Sequence, residues 1–300
     1  FLSNLEMEKN VIQNLDCISF TNEETKRLIL TKYSDDIKNK SIILPHIFDL
    51  DLIKNLKVDK KKKITIRYFG RFYSQRKPDP LFKAVENLLK KNKIKKDDFL
   101  IELVGINILK NFKIYQTLAK YNLANKIIKL RGWVNYKQSL ELMLNSDGFL
   151  VIDAPAIESV FFPSKLVEYI SFKIPIFGIT PPGTAFNIIE KLGGWIADPQ
   201  DEIEIQEKFL EFLNYIKKNR NKSFGNQKIF ENYNSNNVSL EFSTIIKKIL
   251  SSNFNNKKIA TNYNIDFETV KNFGVEWKTY DQNYLFKKNK FSILFNNYFD

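Results

Sequence analysis

Apolar and polar stretches alternate regularly between residues 64 and 219. Six apolar runs have the length and composition of strands, and they read ITIRYFG, FLIELVG, KIIKLRG, GFLVID, IPIFGIT and GWIAD. A segment with apolar residues at helical spacing follows each run, as in DPLFKAVENLLKKN, where Leu81, Val85, Leu88 and Leu89 share one face. Several strands are continuous apolar runs, which is typical of buried parallel strands. The pattern therefore predicts an α/β fold with a doubly wound, Rossmann-like parallel sheet.

Less regular segments flank this region and suggest four parts. Residues 1–55 predict short elements, including a helix capped by Asn22 and a strand that breaks at Pro45. Residues 56–222 form the sheet domain, and 223–264 a helical return with an Asn-rich linker from Ser251. Residues 265–300 begin a new, aromatic-rich part. The chain begins with Phe1, not Met, and its first residues already lie within a helix-like stretch, so we interpret it as a segment of a longer protein.

The charge is strongly positive, with a formal net charge of +13 and a pI of about 9.4. Lysines are spread along the whole chain instead of being gathered into one basic element. This spread favours a general compositional bias. Attraction to an anionic membrane surface or ligand stays open as a second interpretation, and nucleic-acid binding is disfavoured.

Two residue counts exclude several kinds of site. Cys17 is the only cysteine, which excludes an intrachain disulfide and a cysteine metal cluster. His46 is the only histidine, which excludes a Ser-His-Asp triad and a multi-histidine metal site. No apolar run reaches the roughly 18 residues that a membrane span needs.

One short stretch, FPSKLVEY, combines residues suited to a phosphorylated ligand. Pro163 and Ser164 predict a helix start with Ser164 as the cap, and a helix start attracts anions. Lys165 adds a cation there, and Glu168 follows on the same face, where a carboxylate could accept hydrogen bonds from ribose hydroxyls. The alternative is an ordinary capped helix with a surface Lys–Glu pair.

Two further loops hold candidate residues. Arg71 and Arg76 follow the strand that ends at Gly70, and two guanidinium groups can grip a diphosphate. In TPPGTAF, Gly183 and Thr184 precede a helix that Thr184 could cap. A basic surface loop and a plain turn are the respective alternatives. All three candidate loops follow predicted strands, and ligands of such sheets bind at the carboxyl ends of the strands.

These segments, in order, resemble the C-terminal, donor-binding half of GT-B glycosyltransferases of the group 1 (family 4) type. The resemblance covers roughly residues 60–220 and is carried by YFGRFYSQRKPDP, LRGWVNYKQSLELML, FPSKLVEYISFKIPIFGITPPGTA and GGWIADPQD. The PSKL-x-EY block, followed by Pro-Ile and a Gly-containing loop, is the most specific part. Residues 1–55 resemble the end of the acceptor-side domain and its crossover.

The resemblance implies a role for each candidate residue. Gly70 would let the backbone approach the donor phosphates, and the donor diphosphate would lie near Arg71, Arg76, Ser164 and Lys165. Glu168 matches the second acid of the family's Glu-x7-Glu motif, which holds the ribose. The first acid would fall at Val160, so this chain lacks it. Gly183 and Thr184 would lie in a loop near the donor, and the catalytic residue is not assigned.

The implied activity is transfer of a sugar from a nucleoside diphosphate sugar to a hydroxyl of a glycan or lipid-linked acceptor. The resemblance further implies a cytoplasmic, retaining bacterial enzyme of surface-polysaccharide synthesis that uses no metal or cofactor. Peripheral contact with the inner face of the membrane is one option. The alternatives are a non-catalytic nucleotide-binding domain and a basic nucleic-acid-binding protein.

Residues 265–300 resemble the lead-in to class I methyltransferases that use S-adenosylmethionine (SAM). That resemblance implies SAM as a cofactor only if a methyltransferase domain follows Asp300. The alternative is a loosely ordered extension.

Overall fold

The computed structural model describes residues 2–59, 63–73, 75–107 and 112–255. These residues fall into two compact units. One comprises Ser19–Phe242, and the other comprises residues 2–18 and 243–255. The predicted methyltransferase-like start at 265–300 lies outside the described residues.

The order of helices and strands follows the predicted alternation. The strands are β1 (Ile18–Phe20), β2 (Ser41–Ile43), β3 (Ile64–Phe69), β4 (Phe99–Val104), β5 (Ile128–Arg131), β6 (Gly148–Ile152), β7 (Ile176–Ile179) and β8 (Trp195–Ala197). The helices are α1 (Leu2–Gln13), α2 (Glu23–Leu30), α3 (Asp35–Asn39), α4 (Asp79–Lys90), α5 (Phe112–Ala119), α6 (Tyr136–Leu144), α7 (Ser164–Ser171), α8 (Thr184–Leu192), α9 (Glu202–Asn219), α10 (Gln227–Glu231) and α11 (Ser235–Asn255).

The central sheet has six strands in the order β5-β4-β3-β6-β7-β8, and every neighbouring pair is parallel. β1 and β2 form a separate two-stranded sheet. The order runs outward from β3 in one direction and from β6 in the other, which is the doubly wound arrangement of dinucleotide-binding folds. The predicted doubly wound parallel sheet is confirmed.

Two apolar clusters cover the two faces of this sheet. One joins α4 and α9 to β3 and β4, with Leu81, Phe82, Phe209 and Phe212 fully buried. The other joins α6, α7 and α8 to the opposite face through residues such as Leu166 and Tyr169. Side chains alternate between the faces of a strand, so each strand supplies both clusters.

The chain after Arg220 differs from the prediction of one terminal helix and a linker from Ser251. It forms two helices, α10 and α11, and α11 continues to Asn255. Asn226 caps α10 by accepting a hydrogen bond from the backbone of Lys228. Asparagine is favoured at helix caps as well as in turns, so composition alone did not distinguish a capped helix from a loop here. The cap predicted for α2 is confirmed, since Asn22 accepts from the Thr25 N–H at 2.7 Å.

An ionic cluster with a buried Arg67–Glu102 pair joins strands β3, β4 and β5. Arg67 on β3 and Glu102 on β4 are paired in register, and Arg67 Nε donates to Glu102 Oε2 at 2.7 Å. Arg131 on β5 reaches the other carboxylate oxygen at 2.8 Å. Burial raises the pKa of Glu102, but the hydrogen bonds and charges of the two arginines outweigh it and hold that pKa below its ordinary value.

Replacing Glu102 with Ala would leave the Arg67 guanidinium buried without its carboxylate. We expect the free energy of unfolding in urea to fall by about 3–5 kcal/mol, the usual result of removing one partner of a buried pair. Glu211→Ala is the matched control, because its pair with Lys208 is exposed, and we expect a change below about 1 kcal/mol. Equal stability of the two variants would contradict the importance of the cluster.

The lowered pKa of Glu102 also predicts acid sensitivity. The stabilisation from its ionised form is complete above the ordinary pKa of 4.5 and is lost as the pH falls through the lower pKa of the folded state. We therefore expect the stability difference between the wild type and Glu102→Ala to be constant near neutral pH and to shrink below pH 4.5. Urea unfolding of both proteins from neutral pH to below pH 4.5 measures this stability difference. A difference that does not change with pH would refute the prediction.

Candidate functional site

The sheet has a crevice between β3 and β6. At this point the strand order reverses, because β4 and β5 are added on one side of β3 and β6, β7 and β8 on the other. β6 pairs with β3 only at Ile66 and Arg67, so the two strands separate beyond that point. Their loops begin at Gly70 and Asp153 and open on the same edge, because the strands are parallel. Ligands of open α/β sheets bind at this edge, at the reversal point.

Tyr169 closes the gap that the separating strands leave. The Phe69 N–H at the end of β3 donates to the Tyr169 hydroxyl at 2.8 Å, inside the core. The Tyr169 ring stacks on Phe149 of β6, with the ring centroids 4.2 Å apart. Burial raises the pKa of Tyr169 well above its ordinary value, so the hydroxyl stays neutral. Helix α7 is therefore anchored to both strands at the crevice.

The start of α7 differs in one detail from the prediction. Pro163 occupies the cap position with an extended backbone, and Ser164 is the exposed first residue of the helix. The prediction that Ser164 caps α7 is wrong, because the fixed backbone of proline supplies the extended conformation one residue earlier. No side chain caps this helix start.

Lys165 and Glu168 form a close ion pair on the first turn of α7. Lys165 Nζ lies 2.8 and 2.7 Å from the two carboxylate oxygens of Glu168. The side chains keep 32% and 18% of their surface exposed, so a ligand can reach both charges. Lys165 Nζ also lies 5.3 Å from the centre of the Tyr136 ring. Burial, followed by the charge of Glu168, raises the pKa of Tyr136.

The two arginines after β3 have different surroundings. Arg71 is exposed and forms no ion pair with any residue that the structure describes. Arg76 is buried, and its Nη2 donates to Asp153 Oδ1 at 3.2 Å across the crevice. The structure therefore leaves Arg71 open to solvent and uses Arg76 to join the loops after β3 and β6.

The Arg76 guanidinium is enclosed by aromatic rings. Its central carbon lies 4.9 Å from the ring centre of Tyr73 and 4.4 Å from that of Phe161. Burial raises the pKa of the neighbouring Tyr68 to about 12. Arg76 Nε is buried and has no hydrogen-bond partner within the described part of the chain.

The loop after β7 is pressed against the loop after β6. Gly183 has φ +134°, and a Cβ there would lie 2.0 Å from the Ser159 carbonyl oxygen. The Thr184 N–H donates to that same oxygen at 3.0 Å. Gly183 occupies the cap position of α8 and Thr184 is its first residue, so the prediction that Thr184 caps α8 is wrong. The close approach of the two loops requires glycine at the cap.

The Thr184 hydroxyl instead joins a longer network. Its Oγ1 donates to Glu24 Oε2 at 3.0 Å and lies 3.3 Å from the Val160 carbonyl oxygen. Ser159 Oγ donates to Asp153 Oδ2 at 2.9 Å, and Asp153 pairs with Arg76. The loops after β3, β6 and β7 are thus linked to each other and to α2.

Within the described residues, two classes of feature are not found. No helix has both the length and the apolar character needed to cross a membrane. No group of three His, Cys, Asp or Glu side chains is arranged to hold a metal ion.

Comparison with known families decides the class of protein. The model for "Glycosyl transferases group 1" matches residues 51–228, which include the whole central sheet. The chain belongs to the group 1 glycosyltransferases. No curated protein matches it by sequence.

Solved structures of other proteins share the fold of this group 1 glycosyltransferase chain. A glycosyltransferase from Rickettsia africae is 17% identical, with a TM-score of 0.61, and the match covers 78% of this chain and 64% of that one. Sucrose-phosphate synthase from Thermosynechococcus elongatus is 16% identical, with a TM-score of 0.63, over 84% and 63% of the two chains. Anabaena HepE, solved in complex with UDP-glucose, is 14% identical, with a TM-score of 0.56, over 83% and 68%.

These likenesses establish the Rossmann-like fold of GT-B glycosyltransferases for the central sheet. The chain spans slightly less than two thirds of the length of the Rickettsia and Thermosynechococcus proteins. Every predicted site residue follows a strand at the carboxyl edge, namely Gly70, Arg71, Arg76, Ser164, Lys165, Glu168, Gly183 and Thr184. Their roles toward a donor remain predictions.

Sequence reasoning missed four residues that organise this edge of the glycosyltransferase sheet. Asp153 ends a predicted strand run, so its position at a strand end was a usable signal. Ser159 and Tyr169 act through contacts that residue spacing does not reveal. Glu24 sits in the first turn of α2, where an acidic residue is ordinary.

The close approach of the loops after β6 and β7, at Ser159 and Gly183, can be tested by substitution. Gly183→Ala should lower the free energy of unfolding by about 1–3 kcal/mol, because it combines a strained backbone with a clash against the Ser159 carbonyl. Gly132→Ala is the control, since a Cβ there meets nothing within 4 Å, and we expect a change within about 0.5 kcal/mol. Urea unfolding measures both variants. If Gly183→Ala is as stable as the control, the loops do not pack as described.

Proposed function

We propose that this chain binds a nucleoside diphosphate sugar at the carboxyl edge of its sheet and serves as the donor-binding part of a glycosyltransferase. The observation that carries the proposal is the Lys165–Glu168 pair at the start of α7, beside the crevice. A donor carries an anionic diphosphate next to a ribose with two hydroxyls. A cation and a carboxylate about one helical turn apart suit these two groups.

In this proposal, Lys165 and Glu168 recognise different parts of the donor. Lys165 and the partial positive charge of the helix start would attract the diphosphate. Ser164, exposed on the first turn, offers a hydroxyl to the same phosphates. Glu168 would accept hydrogen bonds from the ribose hydroxyls, as acidic residues do in dinucleotide folds.

The surrounding loops complete the proposed donor site. Arg71 is exposed and supplies a second cation after Gly70, where the backbone can approach a phosphate. Gly183 and Thr184 shape the loop beside the sugar. Arg76 is engaged with Asp153, so we assign it the role of holding the loops. Its predicted contact with the diphosphate stays a prediction.

The proposed reaction transfers the sugar to a hydroxyl of a glycan or lipid-linked acceptor in surface-polysaccharide synthesis. Negative charge develops on the departing diphosphate, and the cation and helix start would stabilise it. Retention of anomeric configuration and the absence of a metal or cofactor are parts of the proposal that rest on the resemblance. So is a cytoplasmic location. Contact with an anionic membrane rests on the net charge alone.

Calorimetric titration with UDP, GDP, CDP and ADP tests the proposal. We expect one nucleotide to bind, and Glu168→Ala to weaken its binding by about 1–3 kcal/mol, the scale of lost charged hydrogen bonds. Glu190→Ala on α8 is the control, because Glu190 is an exposed helical acid away from the helix start, and its binding should equal that of the wild type. Absence of binding by every nucleotide would refute the donor site.

The 2′-deoxy form of the nucleotide that binds separates the roles of the two residues. It should bind the wild type more weakly than the ribonucleotide does, and this difference should shrink in Glu168→Ala. Lys165→Ala should weaken both forms equally, because it acts on the phosphates. An unchanged difference in Glu168→Ala would remove Glu168 from the ribose.

A further inference from the structure

Glu24 lies on α2, outside residues 51–228 that match the family. Its carboxylate nevertheless reaches the carboxyl edge of the central sheet. Oε2 accepts from the Thr184 hydroxyl at 3.0 Å, and Oε1 accepts from the Asn187 side-chain amide at 2.8 Å. Both partners lie in the first turns of α8, directly after the loop that follows β7.

Three more contacts hold α2 in this position. Asn22 and Thr25 both donate to the Val160 carbonyl oxygen at 3.3 Å. Arg27 forms an ion pair with Glu158. Helix α2 is thus bound to the loop after β6 by Asn22, Thr25 and Arg27, and Glu24 binds it to the start of α8.

The carboxylate of Glu24 retains unused acceptor capacity. An ionised carboxylate can accept about four hydrogen bonds, and the described residues supply three, from the Thr184 hydroxyl, the Asn187 amide and the backbone N–H of Glu24 itself. The residue is only partly buried. Burial raises its pKa, but hydrogen bonds from its own backbone N–H, Thr184 and Asn187 outweigh burial, so Glu24 is ionised at neutral pH.

The other carboxylates along these loops are already engaged. Asp153 is buried and accepts from Arg76, the Ala154 N–H and Ser159. Glu158 is paired with Arg27, and the proposed function assigns Glu168 to the ribose. The side chain of Val160, at the centre of these contacts, is apolar and offers no acceptor.

A nucleoside diphosphate sugar held by Lys165 and Glu168 extends its sugar beyond the diphosphate, away from the ribose. The loops after β6 and β7 lie at that same edge, and Glu24 is bonded to Thr184 and Asn187, directly after the loop that follows β7. We propose that Glu24 binds the sugar of the donor, accepting hydrogen bonds from its hydroxyl groups. This inference rests on the proposed function and adds a sugar-binding residue from a different segment of the chain.

The difference in affinity between the nucleoside diphosphate and its hexose conjugate tests the inference. The probes are the nucleotide that binds in the panel and its glucose, galactose and mannose conjugates, titrated against the full chain. We expect Glu24→Gln to weaken the tightest-binding conjugate about tenfold, the scale of one charged hydrogen bond. The binding of the nucleotide without sugar should change by less than about twofold.

Glu23→Gln is the matched control, because Glu23 is the preceding, exposed acid of the same helix, and it should bind both ligands as the wild type does. Equal weakening of both ligands by Glu24→Gln would reduce Glu24 to a structural contact and overturn the inference. An unchanged affinity for the conjugate would overturn it too. Thermal unfolding checks that each variant is folded. If Glu24→Gln does not fold, Glu24→Asp is tested instead, because it keeps the charge on a shorter side chain. The same result is expected, a weaker affinity for the hexose conjugate but not for the nucleotide.

Failure of the inference and failure of the proposed function give different results. If the nucleotide binds in a Glu168-dependent way while Glu24→Gln has no selective effect, only the inference fails. If no nucleotide binds, the donor site itself is absent and the inference falls with it.

Discussion

The geometry of the site depends on one buried hydrogen bond, from the Phe69 N–H to the Tyr169 hydroxyl. Where β3 and β6 separate, the backbone N–H of Phe69 has no carbonyl partner on β6. An unpaired N–H in the core would cost about 1–3 kcal/mol. Tyr169 meets this requirement from the neighbouring helix. The hydrogen bond that satisfies the Phe69 N–H therefore also holds α7 at the edge of the sheet. Lys165 and Glu168 are positioned there with it.

The remaining charges at this edge are arranged so that each loop restrains the next. Asp153, at the end of β6, holds Arg76 from one loop and Ser159 from its own. The Ser159 backbone then pairs with the loop around Gly183. A ligand that displaced one of these loops would disturb the others. The edge therefore behaves as a preorganised surface, which reduces the cost of ordering it on binding.

Arg76 shows how a buried guanidinium finds a carboxylate partner within the fold. Two arginines after a strand suggest a grip on a diphosphate, yet a buried guanidinium needs a nearby carboxylate because desolvation is costly. Asp153 meets that need, and the rings of Tyr73 and Phe161 cover the charge. Arg71 is exposed and Lys165 is partly exposed at this edge, so both cations are accessible to an anionic ligand.

The sequence by itself determined the parallel sheet, because its apolar runs and helical periodicity are local patterns. It also determined that Lys165 and Glu168 share one face of a helix, since three residues make about one turn. Only the tertiary structure decided that Arg76 pairs with Asp153, 77 residues away, and that Glu24 reaches Thr184, 160 residues away. Local spacing constrains neighbours within a turn or a strand, whereas these partners meet only once the sheet and its helices have packed.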